Sequence, residues 1–167
     1  MRILVDAMGG DNAPEAIVNG CIDAIKSQEG FDILLIGDYD QINKILNKRK
    51  FSSQRLEVVH AQEIITNEDL PTRAIRRKKK SSMVVGFNLL KEKKGDVFIS
   101  AGNTGALLTG ALFILGRLRG VDRPAFAAII PTKKGKTLLI DAGLNSTCKP
   151  INYIQFGVFG SIYMREL

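Results

Sequence analysis

Asp6, Gly9, Gly10 and Asp11 set two carboxylates on either side of a glycine pair. Carboxylates so placed can orient a cationic side chain, hold a metal or accept a proton, and the glycines let a ligand approach bare backbone. The plainer use is that Asp11 or Asn12 caps a following helix while Asp6 fixes the turn. A dinucleotide fingerprint needs Gly-x-Gly-x-x-Gly, which Gly9-Gly10-Asp11-Asn12-Ala13-Pro14 does not supply. A second stretch, Ser100-Ala101-Gly102-Asn103-Thr104-Gly105, offers hydroxyls, an amide and two glycines without any charge. Such a set can cradle a phosphate at a helix N-terminus, or simply make a tight strand-to-helix turn with a cap. A third polar stretch runs from Asp141 through Gly143 to Asn145, with Lys149 just beyond.

Other residues invite a chemical reading and resist it. Gly135-Lys136-Thr137 ends like a P-loop, but the glycine required five residues earlier is Ile130. Asn145-Ser146-Thr147 matches the glycosylation acceptor, which matters only in an exported chain, and no charged-then-apolar leader follows Met1. His60 is the single histidine, so no multi-histidine metal site can form; it is a satisfied structural residue or a base at a strand end. Cys21 falls among apolar residues at helical spacing and belongs to a core. Cys148 sits beside Lys149, which favours its thiolate, yet it has no histidine base near it in sequence.

The elements that must carry these loops follow from periodicity. Arg2 to Met8 is a short apolar run rich in β-formers that delivers the chain into Gly9-Gly10. Pro14 suits a first helical turn, and Ile17, Val18, Cys21, Ile22 and Ile25 share one helical face. Asp32 to Gly37 is a continuous apolar strand, the kind buried on both faces of a parallel sheet. Ile42, Ile45 and Leu46 give a helix, Leu56 to His60 a strand, and Met83, Val84, Phe87 and Leu90 a helix behind Ser81-Ser82. Asp96 to Ser100 reads as a strand and 106–118 as a largely buried helix. Strands at 125–130 and 137–140 and a last helix beyond Pro150 complete the reading. Strand and helix alternating with short connections predict an open three-layer α/β/α sheet, in which ligands bind beyond the carboxyl ends of the strands. The 167 residues show no linker or repeat and read as one domain.

Charge is concentrated. Arg73, Arg76, Arg77, Lys78, Lys79 and Lys80 supply six of the 24 basic residues; with them set aside, the basic count nearly matches the 17 acidic residues. Aromatic residues are not interleaved with them, as nucleic-acid stacking would require. The run is a solvated helix face or a docking surface for an acidic protein or a phosphorylated substrate.

Met1 to Pro14, Arg73 to Met83, Ile99 to Ala106 and Gly116 to Ala125 together resemble, in order and spacing, the bacterial phosphate acyltransferases of phospholipid synthesis. The resemblance covers the N-terminal half of that family, whose members run to roughly twice this length. It implies a three-layer α/β/α sandwich with a mostly parallel sheet, similar to the isocitrate dehydrogenase and phosphate acetyltransferase folds and apparently truncated. It also implies an enzyme that transfers a fatty acyl group from acyl carrier protein to inorganic phosphate. A homodimer in the cytoplasm with peripheral membrane contact, and no metal, cofactor or nucleic acid, completes what the resemblance implies.

On this reading Asp6, Asp11 and Asn103 are catalytic candidates. Gly9, Gly10, Ser100, Gly102, Thr104, Gly105, Asp141, Asn145 and Lys149 contact substrate, and the run from Arg73 to Lys80 docks the carrier. Asn12 stands where the family has histidine, and Thr147 where it has an acidic residue. A half-length chain is expected to be inactive or poorly folded by itself. A non-catalytic phosphate-binding domain and a basic nucleic-acid-binding domain are the competing classes.

Overall fold

The computed structural model describes residues 1–166 except 144 and 146. It divides into two compact units, Met1–Gly116 and Arg117–Leu167. The first unit runs β1 (Arg2–Asp6), α1 (Glu15–Ser27), β2 (Asp32–Gly37), α2 (Tyr39–Lys48), β3 (Leu56–His60), α3 (Pro71–Arg77), α4 (Ser82–Lys91), β4 (Val97–Ile99) and α5 (Thr104–Gly110), then a π-helical turn, Ala111–Leu115.

Its four strands are all parallel, in the order β3-β2-β1-β4. Alternate residues of the central strands feed two separate cores, as a period of two demands. Val5, Ile33 and Leu35 pack with Val18, Ile22 and Ile25 of α1 and with Ile42 and Leu46 of α2. Leu4, Leu34 and Ile36 pack on the other side with Val85, Leu89 and Leu90 of α4. Helices therefore cover both faces, which is why β1 and β2 read as unbroken apolar runs.

Three helices begin on side-chain caps. Asp38 accepts from Gln41 N at 2.9 Å, Ser81 from Val84 N at 3.3 Å, and Asn103 from Ala106 N at 2.9 Å. Helix α1 does not: Pro14 precedes it and no side chain caps it, so neither Asp11 nor Asn12 has the capping use open to it in the sequence. The helix expected over 106–118 is shorter and less buried. It loosens into the π-turn after Gly110 and stops at Gly116, whose φ of 87° suits glycine; Phe113 is 63% exposed.

The second unit holds β5 (Ala127–Thr132), β6 (Gly135–Ile140) and α6 (Pro150–Glu166). The two strands expected here are present, but they pair with each other, antiparallel, with Thr132 opposite Gly135. Only Lys133 and Lys134 connect them, and a parallel crossover takes a dozen residues or more.

Candidate active site at the switch point of the sheet

Strand order reverses between β1 and β4, because the chain runs outward from β1 to β3 and then crosses back to β4 on the other side. Loops leaving two such strands diverge and leave a crevice. Here the loops are Asp6–Asp11 and Ser100–Gly105, and their backbones nearly touch. A Cβ placed on Gly9 would lie 2.7 Å from Asp6 Oδ2, 2.9 Å from Gly102 N and 2.9 Å from Ser100 Oγ, so no side chain fits there. Gly10, at φ 107°, needs glycine for its backbone as well.

One carboxylate ties the loops together. Asp6 is buried; its Oδ1 accepts from Met8 N at 3.1 Å and its Oδ2 from Ser100 Oγ at 2.7 Å. Ser100 Oγ in turn accepts from Gly102 N at 3.1 Å. The chain of contacts runs from β1 to the mouth of β4, and it leaves Asp6 with no atom free toward solvent chemistry. Asp6 therefore positions the Ser100 hydroxyl, which positions Gly102.

Asn103 is committed in the same way. Its Oδ1 caps α5, and its Nδ2 reaches the carbonyls of Thr66, Asn67 and Asp69 at 3.1, 3.4 and 3.2 Å. The side chain is buried and has no remaining donor for an incoming oxyanion. Gly105 is small for packing, since a Cβ there would lie 2.7 Å from the Pro71 ring. Thr104 is exposed at the first turn of α5.

The 66–69 segment that Asn103 holds was not among the sequence candidates, although it follows β3 and so lies at the same edge of the sheet. It forms one wall of a cleft of about 300 Å³ whose other lining includes Met8, Gly10, Asp11 and Gly102. Asn67 Nδ2 reaches Asp11 Oδ1 across this mouth at 3.4 Å. Asp11 is exposed and is the carboxylate of the opening motif that meets the cleft. The cleft lining includes no cation. Among the described residues, no three His, Cys, Asp or Glu side chains gather in a way that could hold a metal.

The basic run divides when folded. Lys78 Nζ donates to Asp69 Oδ2 at 2.5 Å and to Ile64 O at 2.8 Å and is only partly exposed, which removes it from the set of free docking charges. This pairing, together with the Thr66 N–H, holds the Asp69 carboxyl below the usual carboxylate range. Arg76 lies over the Phe113 ring at 5.7 Å. Arg73 and Arg77 line a second cleft, of about 380 Å³, with Leu70, Ala74, Glu68 and Asp69. Lys79 and Lys80 are exposed beyond the helix end.

Asp141, Asn145 and Lys149 belong to the second unit. Asp141 accepts from Phe126 N at 2.8 Å and from Asn145 N at 2.6 Å, and Asn145 Nδ2 donates to Pro124 O at 3.0 Å. These contacts tie the loop after β6 to the segment just before β5. Lys149, with Arg123 and Arg117, adds to the Asn152 amide in holding the Asp122 carboxyl below its ordinary range.

His60 Nδ1 accepts from Tyr39 N at 3.2 Å, a structural use at the start of α2. Cys21 is buried, and loss of water pushes its thiol up to about 11. No helix among the described residues is long and apolar enough to cross a membrane.

A parallel sheet covered on both faces, with two glycine loops meeting at its switch point, defines an α/β domain with a candidate site where backbone lies bare of side chains. The chain belongs to the fatty acid synthesis protein family, whose model matches residues 1–167. It is 69% identical over its whole length to a phosphate acyltransferase of Acetivibrio thermocellus, of which it covers 49%. It is 52% identical to one from Alkaliphilus oremlandii, covering 50% of it, and 50% identical to one from Clostridioides difficile, covering 49%. The chain thus spans about half the length of the curated relatives it matches.

Proposed function

We propose that this chain carries the phosphate-binding mouth of an acyltransferase that moves a fatty acyl group from acyl carrier protein to inorganic phosphate. The observation that supports it most is the apposition of Gly9 with Gly102 and Ser100, bare backbone where a side chain would close the mouth. Its relatives' shared name, phosphate acyltransferase, points the same way.

The chemistry asks for little acid–base help. A phosphate oxygen attacks the thioester carbonyl, forming a C–O bond and a tetrahedral oxyanion. The oxyanion collapses by breaking the C–S bond, and the thiolate leaves and takes up a proton. A thiolate is a good leaving group, so orientation and electrostatic stabilisation carry most of the catalysis. In this account Gly10 and Thr104 offer the backbone and hydroxyl contacts, Gly9 and Gly102 leave the space, and Asp6, Ser100 and Asn103 hold the loops in place. Asp11 accepts the proton-bearing oxygen of hydrogen phosphate, a use in which a carboxylate, being acceptor-only when ionised, favours a protonated anion. The exposed cations Arg73, Arg77, Lys79 and Lys80 draw in the acidic carrier, in a cytoplasmic homodimer that meets the membrane only peripherally.

The test is thiol release from palmitoyl-acyl carrier protein. Release that depends on added phosphate and yields acyl phosphate supports the reading. Phosphate binding without any release would instead identify a binding domain.

A further inference from the structure

Helix α3 sorts the basic run by direction. Arg73 and Arg77 lie one turn apart on a single face and line the 380 Å³ cleft, whereas Arg76 is turned onto Phe113. Among the described residues neither Arg73 nor Arg77 has a hydrogen-bond or ion-pair partner. Of the two carboxylates in the lining, Asp69 is paired with Lys78, which lines the cleft too, and Glu68 is an exposed carboxylate at its edge. What the cleft offers an anion is two guanidinium forks, outnumbering the one unpaired carboxylate, beside the apolar side chain of Leu70, 69% exposed. Side chains one turn apart have Cβ atoms about 5–6 Å from each other, close enough for both forks to reach one phosphate group. Glu68 lines this cleft and the phosphate mouth alike, so the two open on either side of the same short segment.

We propose that the α3 cleft is a binding site for the phosphate ester of a pantetheine arm. Arg73 and Arg77 grip the phosphate, and Leu70 lies along the branched alkyl portion that follows it. The proposal rests on the acyltransferase reading above, and it assigns to one part of the basic segment a ligand different from the carrier's acidic surface. Planar guanidinium forks match phosphate oxygens in pairs, which lysine ammonium groups do not. The thioester lies at the far end of such an arm, so a phosphate held beside Glu68 leaves the reactive end free to enter the neighbouring mouth.

The same chemistry is carried by holo-acyl carrier protein and by coenzyme A, and binding measurements separate the sources. 4′-Phosphopantetheine, pantetheine, coenzyme A, and apo- and holo-carrier are each titrated against the chain by calorimetry. The expected result is that 4′-phosphopantetheine binds at least about tenfold more tightly than pantetheine, a difference of about 1.4 kcal/mol. The double variant Arg73→Gln with Arg77→Gln abolishes that difference, and Arg76→Gln with Lys79→Gln changes it less than about twofold. Holo-carrier binding tighter than apo-carrier assigns the arm to the carrier, and coenzyme A binding alone assigns it to the free thioester.

Equal binding of pantetheine and its phosphate overturns the proposal. So does equal loss in both double variants, which would mark a general positive field, or equal binding of apo- and holo-carrier without coenzyme A binding. Because binding is read without turnover, a failure of the acyltransferase reading shows separately, as absent phosphate-dependent thiol release with the arm still bound.

Discussion

Gly9 and Asp11 show what single residues contribute at the mouth. Replacing Gly9 by Ala forces a Cβ within 2.9 Å of backbone at Gly102, so Gly9→Ala should destabilise the chain by about 1–3 kcal/mol, read as a lowered Tm. Gly20 is the control. It sits inside α1 with nothing within 4 Å of a built Cβ, so Gly20→Ala should stabilise by about 0.5–1 kcal/mol. Asp11 makes a different prediction. If it accepts a proton-bearing oxygen, sulfate, which has none at neutral pH, should bind roughly tenfold or more weakly than phosphate, and Asp11→Asn should narrow that gap. Competition between the two anions measures it.

The two loops that meet at the switch point were legible in the sequence, because each is a glycine-bearing polar stretch directly after an apolar strand. Their roles were less so. Asp6 and Asn103 carry groups suited to catalysis, yet both spend every polar atom on holding loops, and that commitment depends on carbonyls and hydroxyls distant in sequence.

At the scale of elements, the parallel sheet was readable because β1 and β2 are apolar throughout and the helices between them keep one clean face. Two features escaped periodicity. The 66–69 segment has no regular structure and no apolar pattern, and its importance comes from Asn103 and Lys78 gripping it from two sides. The pairing of β5 with β6 depends on the length of their connection rather than on their composition.

Removing the grip should show locally. Asn103→Ala loses a cap and three carbonyl contacts, which should cost about 1–2 kcal/mol and raise amide exchange at 66–69 before the rest of the sheet responds. The Asp69–Lys78 pair adds a pH dependence. Asp69 has its folded pKa depressed, so its contribution is complete above its unfolded value, near 4, and is lost as pH falls through the lower folded value. Stability should therefore drop as pH is lowered below about 4, and Lys78→Met, which removes the main cause, should flatten that limb of the Tm against pH curve.

For the whole molecule, the net charge of +7 is the coarsest datum and changes meaning once folded. Six cations in one run suggest a uniform basic surface. In the structure they divide into one ion-paired lysine, one arginine on an aromatic ring, two arginines in a cleft and two exposed lysines. Substituting Lys78 and Lys79 together would confuse docking with the loss of the Asp69 pair, whereas the exposed cations can be changed without touching it.

The account as a whole stands on the glycine mouth at the switch point as the place where inorganic phosphate binds. Titrating phosphate by ³¹P NMR against the chain, and against Gly102→Val, tests this most directly, with circular dichroism confirming that the variant stays folded. The account predicts saturable phosphate binding that the added side chain weakens by roughly tenfold or more. Binding that is absent, or that is unchanged when the mouth is filled, would contradict it.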